Sequence, residues 1–173
     1  FKLYNDISII TFDNNTFSNF NMNSEVGGIG LEIEHEDKQI PYDISFNDCY
    51  FIGNTNTNNQ QQGGAISFGA KQNNGNLRLT LTNCFFKNNH KDGQGSSIYI
   101  NIQLSTSING CQFYENIESQ GTIYLVPDFG SNIVESSISI SNCIFKQNQA
   151  NKLSSIYVSS GTTKSIEIIS CSF

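Results

Sequence analysis

Short runs of alternating apolar and polar residues recur along the chain at regular places. Each run holds two apolar residues separated by one polar residue, as in Ile44 and Phe46 or Leu79 and Leu81. Because side chains alternate between the two faces of a β-strand, each pair predicts a short strand with one buried face. The other pairs are Ile10 and Phe12, Ile138 and Ile140, and Ile166 and Ile168, while the third unit has Thr106 and Ile108 at these positions.

A six-residue motif, C-x-F-x-x-N, follows these runs. Its cysteines form one column at intervals of 35, 27, 32 and 28 residues, and they are Cys49, Cys84, Cys111, Cys143 and Cys171. A degenerate copy precedes them, with Asn15 in place of the cysteine and Phe17 in place of the phenylalanine. Periods of about 20 to 50 residues are typical of solenoids, propellers and arrays of small modules.

The residue just before each cysteine predicts a corner in the chain. If the first strand continued unbroken, its buried face would receive Asp48, Asn83, Gly110, Asn142 and Ser170. These residue types tolerate a left-handed backbone, and burying them while exposing the phenylalanines would be unfavourable. The chain is therefore expected to turn at this column and to begin a second strand, whose cysteine and phenylalanine face inward.

A third apolar segment completes each unit, as in "GGAISF", "SSIYI" and "GTIYL". Its inward positions in these units are Ile66 and Phe68, Ile98 and Ile100, and Ile123 and Leu125. We therefore predict an all-β fold, a right-handed single-stranded parallel β-helix with three short strands per coil and about five coils of 27–35 residues. Residues 1–173 are interpreted as one domain, a segment of a longer repeat protein.

Composition and charge argue against two classes of partner, nucleic acid and membranes. The net charge is −6 and the chain has a single arginine, Arg78, so nucleic acid is not an expected partner. No apolar run is long enough to cross a bilayer, so membrane insertion is not expected either.

Phe51-Ile52-Gly53-Asn54, followed by Gly63-Gly64-Ala65-Ile66, resembles the paired F-x-x-N and G-G-A-I motifs of chlamydial polymorphic outer membrane proteins, a family of pectin-lyase-like β-helix repeats. The first motif recurs through most of the chain, whereas Ser, Thr or Leu replaces glycines of the second in later units. The resemblance implies a secreted or surface-displayed β-helix with adhesive or structural roles. It supplies no catalytic residue.

Three columns of side chains have two interpretations each. The cysteine column either forms disulfides between coils or, as we favour, a stack of buried thiols. Asn54, Asn89, Asn116 and Asn148 either form a ladder of amide hydrogen bonds or supply left-handed backbone, and both roles are structural. Tyr99, Tyr124 and Tyr157 are predicted to face outward, where they either bind a sugar chain or partner protein or only stack on one another.

Few residues are candidates for metal binding or covalent modification. Glu32, Glu34, His35, Glu36 and Asp37 could ligate calcium, but we favour a solvated loop, and no metal or other cofactor is predicted. Asn14 begins the N-x-S/T sequence Asn14-Asn15-Thr16, a candidate N-glycosylation site in a secreted protein.

The candidate acids and bases do not form a catalytic pattern. Asp43, Asp48 and Glu167 belong to separate coils or faces, and His90 falls in a loop. Glycoside hydrolysis needs two facing carboxyl groups, so no catalytic residue is predicted.

The resulting functional hypothesis is a secreted or cell-surface structural protein that associates end to end in a filament, coat or extracellular matrix. The alternative is an adhesin that binds a glycan or a surface protein through the tyrosine face or through the loops at residues 55–62 and 126–136. The least favoured hypothesis is a polysaccharide-active enzyme.

Overall fold

Short parallel strands stack along one axis in the computed structural model of the chain. The structure describes residues 2–3, 9–22, 29–33, 42–57, 63–70, 77–101, 104–126, 137–151, 155–158 and 165–173. In chain order the strands are β1 (Lys2–Leu3), β2 (Ile9–Asp13), β3 (Thr16–Ser18), β4 (Asn21–Met22), β5 (Ile29–Ile33), β6 (Tyr42–Asn47), β7 (Tyr50–Ile52), β8 (Thr55–Asn56), β9 (Ile66–Ala70), β10 (Leu77–Thr82) and β11 (Phe85–Lys87). They continue as β12 (His90–Gln94), β13 (Ile98–Asn101), β14 (Leu104–Asn109), β15 (Gln112–Tyr114), β16 (Ile117–Gln120), β17 (Ile123–Leu125), β18 (Ser137–Ser141), β19 (Ile144–Lys146), β20 (Gln149–Ala150), β21 (Ile156–Val158) and β22 (Ser165–Ile169).

The described strands form four sheets, and each sheet takes every fourth strand of the chain. Sheet I has the order β2-β6-β10-β14-β18-β22 and sheet II the order β3-β7-β11-β15-β19. Sheet III has the order β4-β8-β12-β16-β20 and sheet IV the order β1-β5-β9-β13-β17-β21. Strands pair in parallel with the strands of the coils before and after them. The predicted all-β parallel solenoid is confirmed.

The corner predicted between the first two strands is confirmed. Asp48, Asn83, Asn142 and Ser170 have φ values between 52° and 54°, and Gly110 has φ 66°. This left-handed conformation reverses the parity of the side chains, so that both the first-strand pair and the following cysteine and phenylalanine face inward. A second corner precedes the asparagine column, with positive φ at Asn19, Gly53, Asn88, Glu115 and Gln147.

The core is a set of stacked columns rather than a mixed cluster. Successive phenylalanines of sheet II stack with ring centroids 4.6–5.1 Å apart and interplanar angles of at most 20°. The rings of sheet II are Phe17, Phe51, Phe86, Phe113 and Phe145, and Phe173, which follows the last strand, continues the stack. The predicted inward positions Ile66, Ile98 and Ile123 of sheet IV are fully buried. Each coil therefore buries the same apolar positions as its neighbours.

The asparagine column forms the predicted ladder of amide hydrogen bonds. Asn116 Oδ1 accepts bonds from both the backbone N–H and the side-chain amide of Asn89, each at 3.0 Å. The amide of Asn116 donates to Asn148 Oδ1 at 2.9 Å and to the carbonyl of Phe86 at 3.1 Å. Asn54 repeats the arrangement with Asn89. Asn54, Asn89 and Asn116 are buried and bonded on both sides, which accounts for asparagine at this position in the inner coils.

Each coil has four strands where the sequence predicted three. The additional strand follows the asparagine ladder and belongs to sheet III, as in Thr55–Asn56 and His90–Gln94. Its residues are mostly polar and show no alternating apolar pair, so hydrophobic periodicity did not reveal it. Backbone bonds between coils hold it in place, such as His90 N–H to the Asn54 carbonyl at 2.8 Å.

We expect Asn116→Ala to lower the free energy of unfolding by about 3 kcal/mol, because two donors of Asn89 lose their acceptor in a buried site. Urea denaturation followed by circular dichroism measures the change. The matched control is Gln112→Ala, an exposed position in the preceding strand, which should stay near the wild-type value. Equal stability of the two variants would contradict a structural role for the ladder.

Candidate functional site

Three aromatic side chains lie together on the outer face of sheet II. Tyr50 and Phe85 are in-register partners, and their ring centroids are 6.2 Å apart. Tyr114 extends the group, with its ring 5.5 Å from that of Phe85. Tyr50 is 48% exposed, and the other two are partly buried. We refer to Tyr50, Phe85 and Tyr114 as the outer aromatic cluster.

The rings of the outer aromatic cluster are tilted rather than stacked. Their interplanar angles are 56° and 36°, whereas Phe51 and Phe86 in the core stack at 4°. Tilted rings cover one another less completely, so part of each ring face stays open to a ligand.

Polar groups border the cluster. Lys87 forms an ion pair with Glu115 at 3.5 Å, and Gln112 and Lys146 are exposed on neighbouring strands. Apolar ring faces beside charged and amide groups can hold a ligand that has both C–H and hydroxyl surfaces, as a sugar does.

Sequence reasoning missed this cluster although a signal was present. Tyr50 and Phe85 occupy the x of C-x-F, which the inward cysteine and phenylalanine force outward. The motif makes that column outward in every unit, so its aromatic members could have been identified from parity alone.

The prediction of an exposed tyrosine stripe is wrong for Tyr99 and Tyr124, which are 2% and 7% exposed; Tyr157 is partly buried. Their rings stack at 5.7 Å and 4.4 Å, which matches the alternative interpretation of mutual stacking.

The turn ahead of the strand covers the tyrosines. Gly95 has φ +67°, and a Cβ there would lie 3.1 Å from the Cβ of Tyr99. The Gln94 amide donates to the Tyr124 hydroxyl at 3.0 Å. Burial raises the pKa of Tyr124. Gln94 and Gly95 are close to Tyr99 in sequence, but the conformation of the turn is what places them over the tyrosine rings.

The five cysteines form a column of free thiols along the inner corner between sheets I and II. Cys49, Cys84, Cys111 and Cys143 are buried, and Cys171 is partly exposed. Each thiol donates to backbone carbonyls, as Cys84 Sγ does to Phe46 O at 3.3 Å. Burial raises the pKa of Cys49, and hydrogen bonds to neighbouring thiols together with burial raise that of Cys111. Hydrogen bonding with the Cys111 thiol lowers the pKa of Cys84 and that of Cys143. Burial is therefore what keeps four of the five thiols from reagents, and they act as small core side chains.

The residues considered for catalysis are scattered. Asp43 pairs with Arg78 at 3.6 Å on the outer face of sheet I. His90 was predicted to lie in a loop, but it begins strand β12, where it contacts Asp92 at 3.0 Å. Asp48 occupies an exposed corner, and Glu167 is exposed on the last strand. Within the described residues no group of three or more His, Cys, Asp or Glu side chains is placed to hold a metal ion.

Several predicted positions fall outside the described residues. Glu34, His35, Glu36 and Asp37 are among them, and only the backbone of Glu32 is described, in strand β5. Residues 58–62 and 127–136, which make up most of the two proposed binding loops, also lie outside.

Asn14 is exposed at a corner with φ 52°, and Thr16 is exposed at the start of strand β3. The whole sequence Asn14-Asn15-Thr16 therefore lies on the surface, where a modifying enzyme could reach it.

Comparisons with protein-family models, curated proteins and solved structures gave no match. The resemblance to polymorphic outer membrane protein repeats stays a prediction. None of the described residues belong to a helix that could span a bilayer. The fold places the protein in the class of parallel β-solenoids. Proteins of one fold class have many functions, so the exposed surfaces of this chain are what indicate its function.

We expect the folded protein, purified without reductant, to react slowly with a thiol reagent at mildly alkaline pH, with Cys171 reacting first. Four of the five thiols are buried, so a reagent reaches them only when the fold opens locally. After unfolding in guanidinium chloride, all five cysteines should titrate. A count below five in the unfolded, unreduced chain would reveal disulfides and contradict the thiol column.

Proposed function

We propose that the chain is a non-catalytic structural β-solenoid of the extracellular space or cell surface, which associates end to end. The observation that carries this proposal is the apolar surface at the last described coil. Ile166, Ile168 and Phe173 are 49%, 46% and 71% exposed. Such side chains are covered in most folded proteins, and here a further coil, of a longer chain or of another copy, would cover them.

The geometry of that patch fits another coil. Ile168 is the in-register partner of Ile140, which is fully buried, and the Phe173 ring stacks on Phe145 at 5.1 Å. The exposed residues therefore continue the columns of the core. Strand β22 pairs only with β18 within the described residues, so its other edge can accept a further parallel strand.

The first described full coil offers the complementary surface. Ile10, Phe12 and Phe17 pack against the core from one side and are only partly buried. They occupy the same columns as Ile166, Ile168 and Phe173, so a second copy of the chain could stack its first coil on the last coil of its neighbour. Burial of this apolar surface would stabilise the contact.

One further feature supports an extracellular location. The Asn14 sequence is exposed, as glycosylation requires.

We expect the 173-residue chain to self-associate in sedimentation velocity, with the sedimentation coefficient rising with concentration. Ile168→Glu should weaken this association roughly tenfold or more, because it places a charge on the contact surface. Ile169→Glu is the matched control: Ile169 is the in-register partner of Ser141 on the outer face and should leave association unchanged. A monomer at all concentrations, or equal effects of both variants, would contradict end-to-end association.

The outer aromatic cluster favours a second function, that of a glycan-binding adhesin. Pyranose sugars with equatorial substituents present a flat C–H face, which packs on aromatic rings while their hydroxyls reach bordering polar groups. Tyr50, Phe85 and Tyr114 provide the rings, and Gln112, Lys87 and Glu115 provide polar groups. This placement differs from the tyrosine face first predicted.

We expect binding to cello-oligosaccharides or chito-oligosaccharides to be detectable by titration calorimetry and to fall about tenfold or more in the double variant Tyr50→Ala, Phe85→Ala. Phe20→Ala, which removes an aromatic that is 43% exposed elsewhere, is the control and should bind normally. Wild-type protein that binds neither oligosaccharide would rule out this ligand class for the cluster.

A further inference from the structure

The outer face of sheet I carries a column of small hydroxyl side chains. In each of its strands β2, β6, β10, β14 and β18, one residue points outward between two inward-facing neighbours, as Thr80 does between the buried Leu79 and Leu81. Parallel pairing places these outward residues in register across the five strands. They are Thr11, Ser45, Thr80, Ser107 and Ser139.

A second polar column lies beside the first, two residues further along each strand and therefore on the same face. Its in-register members are Asp13, Asn47, Thr82, Asn109 and Ser141. Hydrogen bonds between coils orient side chains in both columns. Ser45 Oγ donates to Thr11 Oγ1 at 3.0 Å, and Ser141 Oγ donates to Asn109 Oδ1 at 3.1 Å. We refer to the two columns together as the hydroxyl face.

Folding alone does not require hydroxyl groups at these positions. An outward column borders solvent, so in-register pairing does not force its members to be alike. The outward column of sheet II shows this freedom, because its successive members differ in size and polarity. They are Thr16, Tyr50, Phe85, Gln112 and Ile144. The uniform first column of the hydroxyl face therefore indicates a role for the surface itself.

The hydroxyl face is close to flat. Phe12 and Phe46, in-register partners on the inner side of sheet I, stack with their rings inclined by 9°. From Phe51 to Phe145 the successive rings of sheet II are inclined by 10° or less. Neighbouring strands of a typical sheet are rotated by about 20–25°, and equivalent rings would then be rotated as well. Successive coils of this solenoid are therefore stacked with little twist.

A flat in-register sheet places its outward groups on a rectangular grid. The grid repeats at about 4.8 Å from strand to strand and at about 6.8 Å from one outward residue to the next along a strand. Oxygen atoms of hexagonal ice repeat at nearly the same two spacings along perpendicular axes. Water molecules bonded to the grid therefore lie close to positions of the ice lattice.

We propose that the hydroxyl face binds ice. Each hydroxyl or amide group holds a water molecule, and a growing crystal surface incorporates water that is already in place. The contacts are individually weak, but the stacked backbone fixes their spacing before the crystal arrives, which lowers the entropic cost of binding.

The chemistry of the face favours ice over a polysaccharide surface or a charged polymer. Sugars pack on aromatic rings, and no aromatic residue belongs to these two columns in the described part of sheet I. The Asp13 carboxylate accepts a hydrogen bond from the Asn47 amide at 2.7 Å, and Arg78 is paired with Asp43 beside the columns. Most of the surface thus consists of short neutral donors and acceptors, as the surface of ice does.

The test is adsorption of the complete chain to ice. The protein is labelled with an amine-reactive fluorescent dye and frozen slowly around a single ice crystal, and thermal hysteresis is measured on unlabelled protein. We expect fluorescence from the crystal and a freezing temperature below the melting temperature. Exclusion of the protein from the crystal together with no hysteresis would overturn the proposal. Adsorption to microcrystalline cellulose but not to ice would overturn it in favour of a polysaccharide ligand.

Variants assign the adsorption to the face. Thr80 and Ser107 are exposed in-register partners, and the double variant Thr80→Tyr, Ser107→Tyr should bind ice about tenfold less or weaker still, because two large rings keep the lattice away from neighbouring groups. Circular dichroism checks that it folds.

Two control variants should adsorb to ice like the wild type. Ser18→Tyr adds the same ring at an exposed serine of sheet II. Ile168→Glu changes the end coil, so it separates ice binding from end-to-end association. A loss in either control equal to that of the double variant would overturn the assignment to the hydroxyl face.

Discussion

In-register parallel pairing of successive coils is the constraint on which the rest of this molecule depends. Because each strand bonds to the same residue positions in the coils before and after it, every side chain lies next to its own counterpart. A residue type that suits one coil must then suit its neighbours. The phenylalanine stack, the thiol column and the asparagine ladder are three consequences of this single condition. The repeat in the sequence is the result of this in-register pairing.

The same constraint separates structural surfaces from available ones. The inner columns consist of stacked rings, thiols and hydrogen-bonded amides. These side chains are buried and already in contact with one another, so they offer little surface to a partner. Any partner must therefore meet the outer faces or the end coils. The outer aromatic cluster and the apolar residues of the last coil are the described surfaces on which our functional proposals rest. A glycan-binding cluster predicts that a single molecule binds its ligand. An apolar end coil predicts that molecules assemble into longer rods.

Much of the fold followed from the sequence because apolar periodicity and corner residues agree. Asp48 and Asn83 indicated a left-handed corner, and Ile66 and Phe68 indicated an inward strand, and the structure bears out both. The fourth strand could not be predicted because its polar residues show no period. Tyr99 could not be placed because the turn at Gly95 covers it, which is a tertiary effect. Lys91 lies in a polar stretch whose burial depends on the whole coil.

The most direct test of the coil register is nuclear magnetic resonance of the asparagine side-chain amides. The account predicts cross-peaks through space between the amide protons of Asn54 and Asn89, and between those of Asn89 and Asn116, because consecutive amides are bonded at 3.0 Å. Slow hydrogen exchange of these amides should accompany the cross-peaks. Absence of both, in a chain that is otherwise folded, would contradict the in-register stack.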